Sequence, residues 1–365
     1  MMQFVKKYWK WELLILLTII IKLFSLNHRL VEIYYSKGFY PGFSKLLRFL
    51  FGWLPFSAGD IFYGVLTIWI LVRITKAIVA LFNRKVTRAA FGKGISHTFM
   101  FLLTMYVIFN IFWGINYDRQ NIAVQLELKQ DSFNLQNLKD INRLLVEKVN
   151  TAKQSLVNNN TVYPDNAHLF KMVAAAYDEA AKQYPFLDYH PVSLKSSLWG
   201  WIGNYTGFSG YYNPFSGEAQ VNTNVPRFVL PFTSCHEVGH QLGFAKENEA
   251  SFVGYLAAAA SKDTLFHYSV YLDLFLYANR TLALNGFLQH DTAIAKFYKD
   301  QLIQPVKNDL AELQKFYDRH RNPVEPWVRK GYAFYLRRNQ QPHGLRSYDE
   351  VTDFIIAYYK KYGKI

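Results

Sequence analysis

The sequence predicts a mainly α-helical protein with a minority α+β component: three transmembrane helices come first, then an outer domain in which a short edge strand precedes a well-bounded helix. Three observations carry this. The 365 residues are 51% hydrophobic and only 19% charged, yet mean hydropathy sits at −0.05, so an apolar segment is joined to a polar one. Almost every long uncharged run lies before residue 117. Beyond it, apolar residues recur at helical spacing between Gly- and Asn-rich stretches. Such a composition excludes disorder, collagen-like repeats and a small disulfide scaffold. The single cysteine, Cys235, cannot form an internal disulfide, so thiol content points to no oxidising compartment.

The three spans are expected at about 11–26, 59–76 and 97–116, each near the roughly 20 residues a bilayer crossing needs. The third carries no acidic residue, Lys or Arg; the second is closed by Arg73 and Lys76, whose stems can reach the headgroups. Lys6, Lys7 and Lys10 precede the first span, and Arg84, Lys85, Arg88 and Lys93 crowd the link between the second and third. Positive charge accumulates on the cytoplasmic side, so both regions are expected there, and everything after Asn116 outside a cell (inner) membrane. No small-residue cleavage site follows the first apolar run, which reads as a retained anchor. Lys45 to Leu54 reads as an interfacial amphipathic piece or a plain loop helix. The spans contain little ionisable chemistry beyond Lys22, which argues against transport, and the +14 net charge comes without a nucleic-acid motif.

In the second domain, 117–365, Leu135, Leu138, Ile141, Leu145 and Val149 keep helical spacing, and a further helix is expected from Ala167 to Gln183, ended by Pro185. Ser197 to Gly217 has the composition of loops over a cleft. Ala219 and Val221 alternate with Gln220 and Asn222 before Pro226, which predicts a half-exposed edge strand over 217–225. The aromatic run from Leu265 to Leu284 holds Asp273 and Arg280 and reads as a core helix; neither His267 nor His290, in or after it, is expected to bind metal.

The decisive segment is His236-Glu237-Val238-Gly239-His240, an HExxH pattern. Residues four apart lie one turn apart on the same helix face, so His236 and His240 can both offer nitrogens to one zinc ion. Glu237 then sits beside the metal, where its carboxylate can take a proton from a water that the metal acidifies and pass it to the leaving amine. Pro231 suits a first helical turn, and Gly243 stands where a left-handed stop is expected. The plainer reading has Ser234 and Glu237 as a capping box and the histidines as hydrogen-bonded core residues.

A catalytic zinc takes three protein ligands and leaves one position open. The long pattern HExxHxxGxxH fails at its last place, where Lys246 stands, and no methionine-containing turn follows. A second helix is expected over Glu247 to Ser261, with Glu247 and Glu249 both in its first turn. Glu249, which precedes the small pair Ala250-Ser251, is expected to complete the site, with Glu247 in reserve; either can instead merely complement the helix dipole.

An HExxH helix followed by a glutamate on the next helix resembles the gluzincin group of zinc metallopeptidases. Three spans followed by NPFSGEAQVN, LPFTSCHEVGHQLGFAKENEASF and GLRSYDEV resemble, over nearly the whole chain, an uncharacterised bacterial family of membrane-anchored proteins read as metallopeptidases. The resemblance implies a zincin-like domain with one Zn2+ held by His236, His240 and Glu249, and Glu237 as general base. Many gluzincins orient a histidine with an aspartate four residues after the ligand glutamate; counted from Glu249 that place holds Val253.

Tyr348 is the candidate oxyanion donor, with Tyr205, Tyr211 and Tyr212 as competitors, and the strand before the zinc helix is expected to pair with an extended polypeptide. The functional expectation is a membrane-anchored zinc peptidase, an enzyme meeting polypeptide substrates at or above the bilayer surface, without nucleic acid. The alternative is a catalytically inactive protein in which the same residues bind zinc or a partner.

Overall fold

A computed structural model describes residues 2–83, 87–129, 133–288 and 293–365. Helices dominate: α1 (Met2–Ser25), α2 (His28–Leu30), α3 (Tyr40–Phe51), α4 (Ala58–Phe82), α5 (Arg88–Phe112), α6 (Ile122–Gln125), α7 (Leu135–Asn158) and α8 (Asn166–Gln183). After β1 (Leu194–Ser196) come α9 (Gly200–Thr206), β2 (Gly210–Asn213), β3 (Glu218–Val221), α10 (Leu230–Gln241) and α11 (Glu247–Ala260). The chain closes with α12 (Thr264–Leu288), α13 (Ile294–Asp300), α14 (Gln304–His320), α15 (Glu325–Arg338) and α16 (Val351–Tyr362). The three strands form one sheet in the order β1-β3-β2, parallel between β1 and β3 and antiparallel between β3 and β2.

Two helices, α4 and α5, are each long and apolar enough to cross a membrane. The first expected span reaches that standard only if residues 8–25 and 28–51 count as one broken span, bent by 97°. The bend is built by Asn27, which accepts from the backbone of Arg29 and Leu30 and caps α2, and it directs the following residues against α10, where Tyr40 and Ser44 donate to Gln241 O, rather than along α1. The third expected span stops at Phe112; residues 113–117 are largely buried in protein. Of the charges read for orientation, Arg84 and Lys85 lie outside the described residues, as does His290.

The larger apolar cluster is built only from residues 122 onward, close to the expected boundary at 116, while a second cluster reaches across that boundary. Tyr35 and Tyr40 share one apolar cluster with Val107, Trp113, Tyr212 and Ala245. The buried Glu32–Arg119 pair (3.0 Å) ties the residues after α1 to the loop after α10, where Arg119 also donates to Gly243 O. Glu218 of β3 accepts from the backbone of Ala58 (3.1 Å) and Gly59 (2.6 Å), so a carboxylate sits on the amino end of α4, where the helix dipole favours negative charge. Asp60, one residue on, accepts from Leu198 N at 2.6 Å and from the Tyr211 hydroxyl. The sheet therefore grips the start of α4.

Two further expectations are corrected. The strand at 217–225 is shorter, fully buried and central, because β1 and β2 pair on its two sides. The stretch read as loops, 197–217, contains α9 and β2, a helix and strand too short to leave a periodic signal. The aromatic run is the core helix α12, which packs chiefly on α7 and contributes Phe266, Val270 and Phe275, all fully buried.

Candidate metal centre

Helix α10 carries Pro231 in its first turn and ends in a left-handed glycine, Gly243 (φ +91°). Phe244 N bonds to Gly239 O (3.2 Å), the wrapped helix end that such a glycine permits. Helix α11 then folds back against α10 at close range. A Cβ on Gly239 would lie 2.9 Å from Ala250 O, and one on Gly254 3.0 Å from His236 N, so both glycines are required for the approach. Ser234 lies within α10, not at its start, which removes the capping-box reading of Ser234 and Glu237.

His236 and His240 point their Nε2 atoms at one carboxylate oxygen, Glu247 Oε2, at 3.2 and 3.3 Å. Ligand atoms of these three buried residues lie within 4.8 Å of one another. Glu247, not Glu249, thus joins the histidines. Two positions along a helix turn the side chain by about 200°, so only one of the two glutamates can face α10. Glu249 is fully buried with its carboxylate 4.0 Å from Lys246 Nζ, and burial raises its pKa.

Each imidazole is held through its other nitrogen. His240 Nδ1 lies 2.8 Å from Phe244 O, which as a carbonyl can only accept, so that nitrogen carries a proton; Nε2, which donates to Glu247 here, is the nitrogen that could meet a metal once its own proton is lost. His236 Nδ1 lies 3.1 Å from Ser251 Oγ. Ser251 stands four residues after Glu247, one turn further along the same face of α11. Trp113, just past α5, donates to His240 O (3.1 Å) and sets its ring edge-on to the imidazole. Tyr332 of α15 donates to Glu247 Oε1.

Burial would raise the Glu247 carboxyl, but the charge of His240 and hydrogen bonds from both imidazoles outweigh it and hold it below the usual carboxylate range. Burial disfavours the charged form of His240, yet Glu247 lifts it to about 9. The donor set, two imidazoles and one carboxylate, all buried and each held by a further partner, could hold a metal ion. Glu237 stays outside the triad: 4% exposed, with Oε2 unpartnered and its pKa pushed up to about 8 by burial.

These groups line a cleft of about 980 Å³. Tyr348 is there too, stacked on His236 (centroids 6.1 Å, 19° between planes), its phenol kept protonated by burial and by Glu247. Of its competitors, Tyr211 bonds to Asp60 and Tyr212 accepts from Tyr40, while Tyr205 is exposed on α9. The cleft also reaches Tyr63 of α4 and Phe109 of α5, so a motif more than a hundred residues past the last apolar helix is folded back to the ends of those helices. Sequence reading missed Tyr332, Trp113 and Gly210. Only Gly210 left a trace, in the glycine-rich composition of its stretch: a Cβ there would fall 2.4 Å from Glu237 Oε1, so β2 can lie against that carboxylate only as glycine. No curated protein and no solved structure matches the chain. A family model described as "Protein of unknown function (DUF3810)" matches residues 35–356, and with most of its length inside that match the chain belongs to the DUF3810 family.

Proposed function

We propose that the protein is a membrane-anchored, zinc-dependent peptidase of gluzincin type, with His236, His240 and Glu247 holding one zinc ion. The observation that carries the reading is Glu237, a buried carboxylate with a free oxygen beside an oriented His2Glu set. Zinc bound there would supply Lewis acidity and an acidified water. Glu237 takes the proton and returns it to the departing amine, its raised pKa matching a group that must gain and lose a proton near neutrality. Tyr348, a protonated phenol stacked on His236, donates to the oxyanion. Strand β2, whose one flank pairs with β3, is an edge strand beside Glu237 and offers backbone groups to an extended polypeptide.

The basic ends of the apolar helices support an outer position for the domain. Helix α1 packs on α5, and Lys22 Nζ near the end of α1 lies 5.6 Å from the Tyr106 ring near the end of α5, so the two helices run in parallel. Lys10, Arg88 and Lys93 then lie toward the ends away from the domain, as cytoplasmic charge would.

The test is cleavage of a mixed peptide panel by the purified, zinc-loaded full chain in detergent or nanodiscs. Cleavage that stops on chelation and returns with zinc supports the reading; failure to cleave any peptide, or cleavage indifferent to chelator, refutes it. A Gly210→Ala variant should keep its zinc yet turn over about 10²-fold more slowly, because the added methyl displaces the Glu237 carboxylate and misplacement by about 1 Å has that effect. Steady-state kinetics beside metal analysis would check it.

A further inference from the structure

The outer face of α15 is apolar, basic and bare. Val324, Trp327 and Phe334 fall on one helical stripe and are 60%, 72% and 55% exposed. Lys330 lies 5.0 Å over the Trp327 ring and Arg338 5.2 Å over the Phe334 ring, with Arg337 beside them. The inner face of the same helix is spoken for by the Tyr332 bond to Glu247 and by buried Leu336. Neighbouring α9 adds Trp201, 56% exposed, and Tyr205, 46% exposed.

The position of these helices says what covers that face. Trp199, at the start of α9, donates to Asp60 O (3.0 Å), and its ring lies 3.0 Å from where a Cβ on Gly64 would be. Gly64 is about 9 Å along α4 from Ala58, so Trp199 stands beside the part of α4 whose outward residues, Ile61 and Val65, are exposed and apolar. Asn322, at the amino end of α15, donates to Tyr205 O (2.7 Å). At the other end, Tyr335 bonds to Tyr117 (3.1 Å) and Gln340 to Asp118 (3.1 Å), both in the short helical turn Gly114–Asp118 that comes after α5. Helix α15 is thus pinned at one end to the element beside α4 and at the other to the exit of α5.

We propose that the outer face of α15, continued by α9, seats in the headgroup layer of the same bilayer that α4 and α5 cross, held by its aromatic side chains and by anionic phospholipid at Lys330, Arg337 and Arg338. Tryptophan belongs at that depth, with an apolar body and a polar tip, and a basic amphipathic helix gains from both apolar burial and lipid charge. The proposal needs α4 and α5 in a bilayer; it does not need the peptidase reading.

The experiment attaches an environment-sensitive fluorophore at Trp327→Cys, and separately at Trp201→Cys, in the full chain within nanodiscs of equal parts phosphatidylcholine and phosphatidylglycerol. Native Cys235 is fully buried. The reference probe is at Lys262→Cys, whose side chain is 82% exposed beyond the far end of α11. Both test probes should be quenched by headgroup-labelled spin lipid at least about threefold more than the reference. A triple Lys330→Glu, Arg337→Glu, Arg338→Glu change should reduce quenching at 327 in these nanodiscs. Quenching at 327 equal to the reference would overturn the proposal. Should a labelled variant misfold, hydrogen exchange of the unaltered chain decides: residues 325–338 protected in nanodiscs relative to detergent support it, and equal exchange refutes it.

Discussion

Replacing Glu237 by Gln should abolish peptide hydrolysis, lowering turnover by about 10²–10⁴-fold, while zinc content stays at that of the unaltered protein. The amide keeps the size and the acceptor oxygen of the carboxylate but cannot take up a proton. Because Glu237 lies outside the His236–His240–Glu247 cluster, the change leaves all three ligand atoms in place. Without a cation, burial already pushes Glu237 up to about 8, so its two protonation states are close in free energy at neutral pH. A bound dication would lean the balance toward the carboxylate, the form that accepts the proton. Side-by-side kinetics and metal analysis on the pair of proteins give the answer, and full cleavage by the Gln variant would remove Glu237 from the mechanism.

Glu247→Ala should strip the site of zinc, with affinity lowered by more than the roughly 10–100-fold typical of losing a group behind a ligand. Glu249→Gln should leave zinc content unaltered. The contrast follows from the fold: Glu247 Oε2 lies 3.2 and 3.3 Å from the two imidazoles, whereas Glu249 turns toward Lys246. Removing Glu247 also leaves two buried imidazoles and the Tyr332 hydroxyl without their shared acceptor, so the apo protein should lose stability as well. Elemental analysis after dialysis, with the zinc-dependent rise in melting temperature as a second reading, separates the variants. Zinc retained by Glu247→Ala and lost by Glu249→Gln would reverse the assignment.

The HExxH helix was legible because it follows from short-range rules. HExxH spacing, Pro231 in the first turn and Gly243 as the stop set α10 within a residue or two of its observed ends. Choosing between Glu247 and Glu249 required knowing which face of α11 meets α10. That face was also written in the sequence, as Ala250, Ser251 and Gly254 at three, four and seven places after Glu247, a small-residue stripe that allows close approach. Taking Ala250-Ser251 merely as a neighbouring pair missed this phase. Tyr332 and Trp113 were not legible, since each reaches the site only through long-range packing. The bend at Asn27 was hidden for another reason: an apolar run long enough to cross a bilayer does not say where the chain leaves it.

The Glu218 clasp on α4 and the Trp113 bond to His240 tie the domain after α5 to the ends of both apolar helices. On the proposed peptidase reading, those ties set the height of the catalytic groups over the ends of α4 and α5, so that distance from the lipid would help decide which peptide bond reaches them.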